Sequence, residues 1–337
     1  MKAMMLQAPR ALAIQEIPEP KPASAEVLLQ VRMVGLCGSD LNSYRGRNPM
    51  VTFPRIPGHE VAATIVDSVA GRPDLQAGTN VTLSPYSNCN QCAACRNHRP
   101  NACKFNQTLG VQRDGALAEY IAVPPEKIYP ANLSIKKLCL VEPLTVGFHA
   151  VARGRVTAED TVAIFGCGGV GLGAIAASGS CGARTIAVDL DDKKLSTARD
   201  LGATDTIHIR RETMHQRLLE FTDGRGPDVV IEAIGLPETF RAAVEEVAYT
   251  GRVVYIGYAK DPVSYETHLF VQKELDILGS RNALPGDFAT VISLLEADRF
   301  PVDQVVSSVI EFENTPEIVR QWDRTPERFT KIMVQVS

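Results

Sequence analysis

VAIFGCGGVGLG, residues 162–173, is the stretch that decides the fold. A compact apolar run leads into glycine-rich sequence. LGAIAASGSCGA, residues 172–183, follows and reads as a small-residue helix. Gly166, Gly168 and Gly171 fit G-x-G-x-x-G, and here the motif stands after an expected strand and before an expected helix. Gly166 makes the tight turn. Gly168 lets backbone approach a pyrophosphate, and Gly171 lets helix and strand pack closely. The helix N-terminus adds N–H donors and a favourable dipole. The alternative is a glycine-rich turn with no ligand.

Downstream, RTIAVDL (184–190) is the next strand and DDKKLSTARDLGA (191–203) a helix with a polar face. DTIHI, PDVVIEAIG, GRVVYIGY and LDILGS continue the strand series to residue 280. Strands alternating with helices mean a doubly wound parallel sheet. Asp189 lies 23 residues after Gly166. Its carboxylate would accept from both hydroxyls of an adenosine ribose and repel a 2′-phosphate, which favours NAD over NADP. Lys194 is a candidate cover for the ribose or pyrophosphate.

Upstream, the first 150 residues carry short β-branched runs broken by Gly and Pro, such as EVLLQVRMVG and EVAATIVDSV. These read as a β-rich domain. CNQCAACRNHRPNAC (89–103) places Cys89, Cys92, Cys95 and Cys103 in a C-x2-C-x2-C-x7-C pattern. Four thiolates on one short lobe can close a tetrahedral structural zinc site. Unpaired thiols and an iron–sulfur cluster are the rival readings.

GLCGSDLN (35–42) and PGHE (57–60) offer Cys37, His59 and Glu60, and LCLVEPLTVGFHAV (138–151) offers Glu142. Cys37, His59 and a carboxylate make a zinc site with a position left open. Singly, each of these residues has a plain structural reading. The combination, beside a dinucleotide motif and a cysteine lobe, carries the metal reading.

Composition narrows the partners. Apolar residues are 45% of the 337 and charged residues 22%, with a net charge of −4. No Lys/Arg cluster suggests nucleic acid. No run approaches the ~20 apolar residues that span a bilayer. The N-terminus lacks a signal-peptide pattern, and clustered cysteines fit a reducing compartment. A cytoplasmic protein is expected.

With GLCGSDLN, PGHE, CNQCAAC…C, DGALAEYIAVP, VEPLTVGFHA, GCGGVGLG and VVIEAIG in this order, the chain resembles the zinc-dependent medium-chain dehydrogenase/reductase family along essentially its whole length. The resemblance implies an α/β protein. A GroES-like β-rich catalytic domain (1–150 and 286–337) would be interrupted by a Rossmann NAD-binding domain (151–285). It implies two zinc ions per chain, NAD, and a homodimer or homotetramer. Cys37, His59 and Glu142 would surround the catalytic zinc, with Glu60 a part-time ligand. Gly235 and Gly257 join Gly166, Gly168, Gly171, Asp189, Lys194 and Arg281 as cofactor-binding candidates.

Glu142 in its EPL motif places the chain near the polyol, threonine and sugar-acid dehydrogenases. KELDILGSRNALPGDFA (273–289) is most similar to the sugar-acid group, of the kind that oxidises L-galactonate at carbon 5. The activity implied is oxidation of a secondary alcohol of a polyhydroxy acid to a ketone. Ser280, Arg281 and Asn282 are then substrate candidates, because a guanidinium can grip a carboxylate bidentately. Arg45 and Arg47 are lesser ones. Polyol or L-threonine dehydrogenase is the alternative, and a non-catalytic dinucleotide-binding protein a further one.

In the catalytic reading zinc lowers the pKa of the alcohol, and Ser39 takes its proton. Many relatives carry a histidine where this chain has Asn42, which cannot titrate. The proton must leave through water, a path linked to Glu60, or another group. Asp40 reads as a turn carboxylate. Cys139 and Cys181 read as core thiols, and His149 as core packing.

Overall fold

The computed structural model describes all 337 residues. The chain forms two compact units, Met1–Glu142 with Leu284–Ser337, and Pro143–Ala283.

The first unit opens with the hairpin β1 (Lys2–Ala8) and β2 (Ala11–Glu16). It continues through β3 (Val27–Leu36), α1 (Gly38–Tyr44), β4 (Glu60–Ile65) and β5 (Asn80–Leu83). Then come α2 (Ala93–Arg96), β6 (Tyr120–Val123) and β7 (Ile128–Pro130). Along β3 buried and half-buried residues alternate from Val27 to Arg32, as a strand with one covered face should. A register shift against β4 between Val31 and Met33 then breaks the alternation, and Met33–Leu36 are all buried. Such a bulge re-aims the strand end, and that end carries Cys37.

Helix α3 (Ile135–Arg153) contains Pro143, so the division between the units falls inside this helix rather than after it. The second unit is β8 (Thr161–Phe165), α4 (Gly169–Ser180), β9 (Arg184–Asp189), α5 (Asp192–Asp200), β10 (Asp205–His208) and α6 (Met214–Phe221). It continues with β11 (Val229–Glu232), α7 (Pro237–Glu246), β12 (Arg252–Tyr255), α8 (His268–Gln272) and β13 (Asp276–Gly279). The six strands are parallel in the order β10-β9-β8-β11-β12-β13. This is the doubly wound order with its switch point between β8 and β11, where ligands bind beyond the strands' carboxyl ends. β8, β9 and β11 are almost wholly buried, which explains why they read as continuous apolar runs. Ala163, Phe165, Ile186, Val188 and Val230 anchor that core.

The tail, α9 (Pro285–Glu296), α10 (Val302–Val305), β14 (Ser308–Glu311), α11 (Thr315–Arg324) and β15 (Ile332–Gln335), belongs to the first unit. There the sheet runs β14-β15-β3-β4-β5-β7, with β6 also on β3. Its core gathers Leu29, Val31, Leu83, Leu117 and Trp322. No helix is long and apolar enough to cross a membrane.

Candidate metal centres and dinucleotide site

The end of β3 and the start of β4 build the first centre. Cys37 is the N-cap of α1, and its N–H donates to Asp40 Oδ2 at 2.9 Å. Gly58, at φ +97°, turns the chain into His59, and its N–H donates to Asp40 Oδ1 at 3.3 Å. That same oxygen stands 3.9 Å from His59 Nδ1. Asp40 is therefore the turn carboxylate expected, and it joins the two ligand-bearing segments. Orientation of a ligating histidine by a carboxylate behind it is a recurrent feature of metal sites. Burial raises the Asp40 carboxyl against the pull of His59. Burial alone would lower His59, but Asp40, Cys37 and Glu142 more than offset it, and the imidazole is raised well above its ordinary value.

Ligand atoms of Cys37, His59 and Glu60 all lie within 4.8 Å of one another. His59 Nδ1 and Ser39 Oγ are buried without a hydrogen-bond partner. Thiolate, imidazole and carboxylate are a zinc donor set, so these residues fit the ion. The carboxylate of this tight grouping is Glu60. Glu142, expected as the third ligand, is buried and accepts a hydrogen bond from the Tyr86 hydroxyl through Oε1.

Glu60 has its own partner. Lys331 Nζ donates to Glu60 Oε1 at 2.6 Å and Oε2 at 2.7 Å, both side chains being buried. The register explains the meeting, since Leu36 pairs with Ile332 and Gly35 with both Met333 and Glu60. Gly35 is required for it, because a β-carbon there would lie 2.0 Å from Glu60 Oε2. Burial lowers the Lys331 ammonium's pKa, but Glu60 and Cys37 reverse the balance and raise it. Lys331 and Tyr86 carried no sequence signal, and Gly35 lay in the GLCGSDLN motif without its packing role being legible.

The four cysteines of the lobe also converge. Sulfur separations are 3.6 Å for Cys92–Cys95, 3.8 Å for Cys92–Cys103 and 4.0 Å for Cys89–Cys95. A tetrahedron with Zn–S of ~2.3 Å requires S···S of about 3.8 Å, so the lobe fits zinc. Amides of Gln91 and Cys92 donate to Cys89 Sγ, and that of Phe105 to Cys103 Sγ. The Cys95 and Lys104 amides pull the Cys92 thiol down to about 6.

In the second unit, Gly166 turns at φ +94°, and a β-carbon on Gly171 would collide with it. Nothing lies within 4 Å of a β-carbon built on Gly168. That open cradle at the α4 N-terminus fits a pyrophosphate. Asp189, at the end of β9, accepts from the Cys167 amide at 2.7 Å and from those of Leu190 and Asp191. Lys194 N–H caps onto Asp191 Oδ1 at 3.0 Å. Gly235 (φ +87°) and Gly257 bring the loops after β11 and β12 into backbone contact. Buried Glu232 binds one of them, accepting from the amides of Ile234 and Gly235 and from Thr239 Oγ1. Its position in VVIEAIG was visible, but its role was not. Ser280 is buried with an unpartnered hydroxyl, and Asn282 has φ +55°. Asn42, Arg281 and Asn282 all make polar interactions.

Arg45, a lesser substrate candidate, has its guanidinium bound to Asp323 at 2.6 Å and to the Asp323 carbonyl at 2.9 Å, which suits a structural role. One expectation fails. Cys181 is exposed at the C-cap of α4 rather than in the core.

The family described as alcohol dehydrogenase GroES-like domain matches residues 23–133, and that described as zinc-binding dehydrogenase matches residues 169–297. The chain is 30% identical to L-galactonate-5-dehydrogenase of Escherichia coli K12 over 94% of each chain. It is 35% identical to sorbitol dehydrogenase of Bacillus subtilis over 83% of this chain and 81% of that one. Among solved structures, an alcohol dehydrogenase (rspB) of E. coli CFT073 complexed with NADH superposes with a TM-score of 0.92. Identity there is 27%, covering 100% of this chain and 99% of that one. These matches run through both halves and both metal-ligand sets, and so the chain belongs to the zinc-dependent medium-chain dehydrogenase/reductase family, as an alcohol-oxidising enzyme of its polyol branch.

Proposed function

We propose that the protein oxidises a secondary alcohol of a sugar acid to a ketone, using zinc and NAD. The observation that carries the metal chemistry is the convergence of Cys37, His59 and Glu60 within 4.8 Å. Zinc held by Cys37, His59 and a carboxylate from Glu60 or Glu142 supplies Lewis acidity toward the alcohol oxygen. Nicotinamide supplies the hydride acceptor. Ser39, half-buried with its Oγ buried and unpartnered, relays the alcohol proton: Oγ accepts it while the hydroxyl's own proton passes on to water. Asn42 holds a hydroxyl or a water in place without titrating. Gly166, Gly168 and Gly171 admit the pyrophosphate, Asp189 and Lys194 the ribose, and Gly235 and Gly257 keep the neighbouring loops low. Arg281, with Ser280 and Asn282, recognises the acid.

The sorbitol dehydrogenase relative, at 35% identity, favours a second reading in which the substrate is an uncharged polyol. Assembly into a dimer or tetramer is proposed through β13, the edge of the six-stranded sheet. Ile277 on that strand is 41% exposed, and nearby Val271 is 83% exposed. A cytoplasmic location is proposed from the eight free cysteines.

NADH formation from NAD across aldonic acids, polyols and L-threonine, with and without a zinc chelator, tests this. Turnover of an aldonic acid that stops on chelation is the expected result. Turnover of polyols alone moves the substrate to the second reading. Turnover unaffected by metal removal overturns the mechanism.

A further inference from the structure

We infer that Tyr86 is a positioning residue that suspends Glu142 beside the Cys37–His59 pair from the root of the four-cysteine lobe. The inference rests on the zinc reading above and goes beyond it, because it makes the lobe a support of the catalytic centre.

Tyr86 lies between β5 and Cys89. Its hydroxyl is the donor to Glu142 Oε1, and both side chains are buried, 5% and 3% exposed. The backbone on either side is clasped. Tyr86 bridges Thr108 in antiparallel register, and the Leu109 N–H donates to the Pro85 carbonyl at 3.1 Å. The Ser87 N–H reaches the Gln107 carbonyl, and the Gln107 N–H donates to Ser87 Oγ at 2.7 Å. This two-stranded root begins three residues before Cys89 and closes a few residues after Cys103. Whatever fixes the four sulfurs therefore fixes the root, and the root fixes the phenol.

At the other end, Cys139, three residues before Glu142 on α3, donates from Sγ to the Glu60 carbonyl at 3.4 Å, which sets that stretch of the helix against the ligand-bearing start of β4. Taking up Oε1 restricts the plane of the carboxylate, which a glutamate reaches through three rotatable bonds. A tyrosine suits this task because its ring is rigid and its donor stands at the tip.

Tyr86→Phe removes one oxygen and keeps the ring. The protein is loaded with zinc and titrated with a competing chelator, which reads two ions per chain in the parent. In Tyr86→Phe the weaker-held ion should lose about 10–100-fold in affinity, while the lobe ion and the melting temperature stay near the parent's and thereby report folding. Cobalt exchanged into the weaker site should show shifted visible bands. In a Glu142→Ala background, Tyr86→Phe should have no further effect, since coupled residues are non-additive. Unchanged affinity and bands in Tyr86→Phe would overturn the inference, as would an equal loss in the Glu142→Ala background. A parent that binds one zinc per chain overturns the catalytic-zinc reading itself, and the two failures are thus told apart.

Discussion

A β-carbon placed on Gly171 would stand 1.8 Å from the carbonyl oxygen of Gly166. Backbone must move to accept it, so Gly171→Ala should destabilise the second unit by about 1–3 kcal/mol. Gly168→Ala meets no protein atom within 4 Å. It should leave the melting temperature nearly unchanged and weaken NADH binding at least about tenfold, roughly 1.4 kcal/mol. Thermal melts and NADH fluorescence titration separate the two. Equal effects of both changes on stability would count against the assigned roles.

Lys331 and Glu60 form a buried ion pair, 5% and 1% exposed at the side chains. Lys331→Met strands a carboxylate in the core, a kind of change that costs about 3–5 kcal/mol. Adding Glu60→Gln should recover part of that loss. Denaturant unfolding of the single and double variants checks it. A single-variant loss below about 1 kcal/mol would show that Glu60 finds another partner.

Asp189 accepts amide hydrogen bonds through both oxygens at the carboxyl end of β9. Asp189→Ser should raise the kcat/KM ratio of NADP to NAD by more than tenfold, about 1.4 kcal/mol of discrimination. Steady-state rates with each cofactor give the ratio. An unmoved ratio would place cofactor choice elsewhere.

Arg45, with help from Arg10, holds the Asp323 carboxyl below its ordinary 3.8. A carboxylate with a lowered folded-state pKa stabilises the fold above the unfolded value and loses that contribution as pH falls through the folded one. Asp323→Asn should therefore cost about 1 kcal/mol at pH 7. The difference from the parent should shrink as the pH drops below about 4. Urea midpoints at the two pH values test the sign, and a gap that widens in acid would reverse it.

The glycine loop and the cysteine lobe were legible because their chemistry is local. Four glycines within six residues meet one turn, and four sulfurs within fifteen meet one ion. Cys37 and His59 were legible too, because each sits in a short motif of its own. Lys331 was not, since its partner Glu60 lies 271 positions away and only the β3–β15 register joins them. Tyr86 was equally silent, because its meaning depends on where α3 brings Glu142. The structural role of Arg45 was illegible for the same reason: only α11 supplies its partner Asp323. Cys181 misled because a cysteine in an apolar helix reads as core, whereas this one falls at the helix end.

The sheet of the first unit is stitched from strands made far apart in time. A ribosome adding roughly 5–20 residues each second makes Glu60 and then takes roughly 15–50 s to reach Lys331, 271 residues on. During that interval the edge of β3 that β15 will cover is open, and the carboxylate has no counter-ion. The second unit can close before then, since all six of its strands precede residue 280. Biosynthesis thus leaves one half finished while the other waits, and the waiting half is where aggregation or a holding chaperone would act.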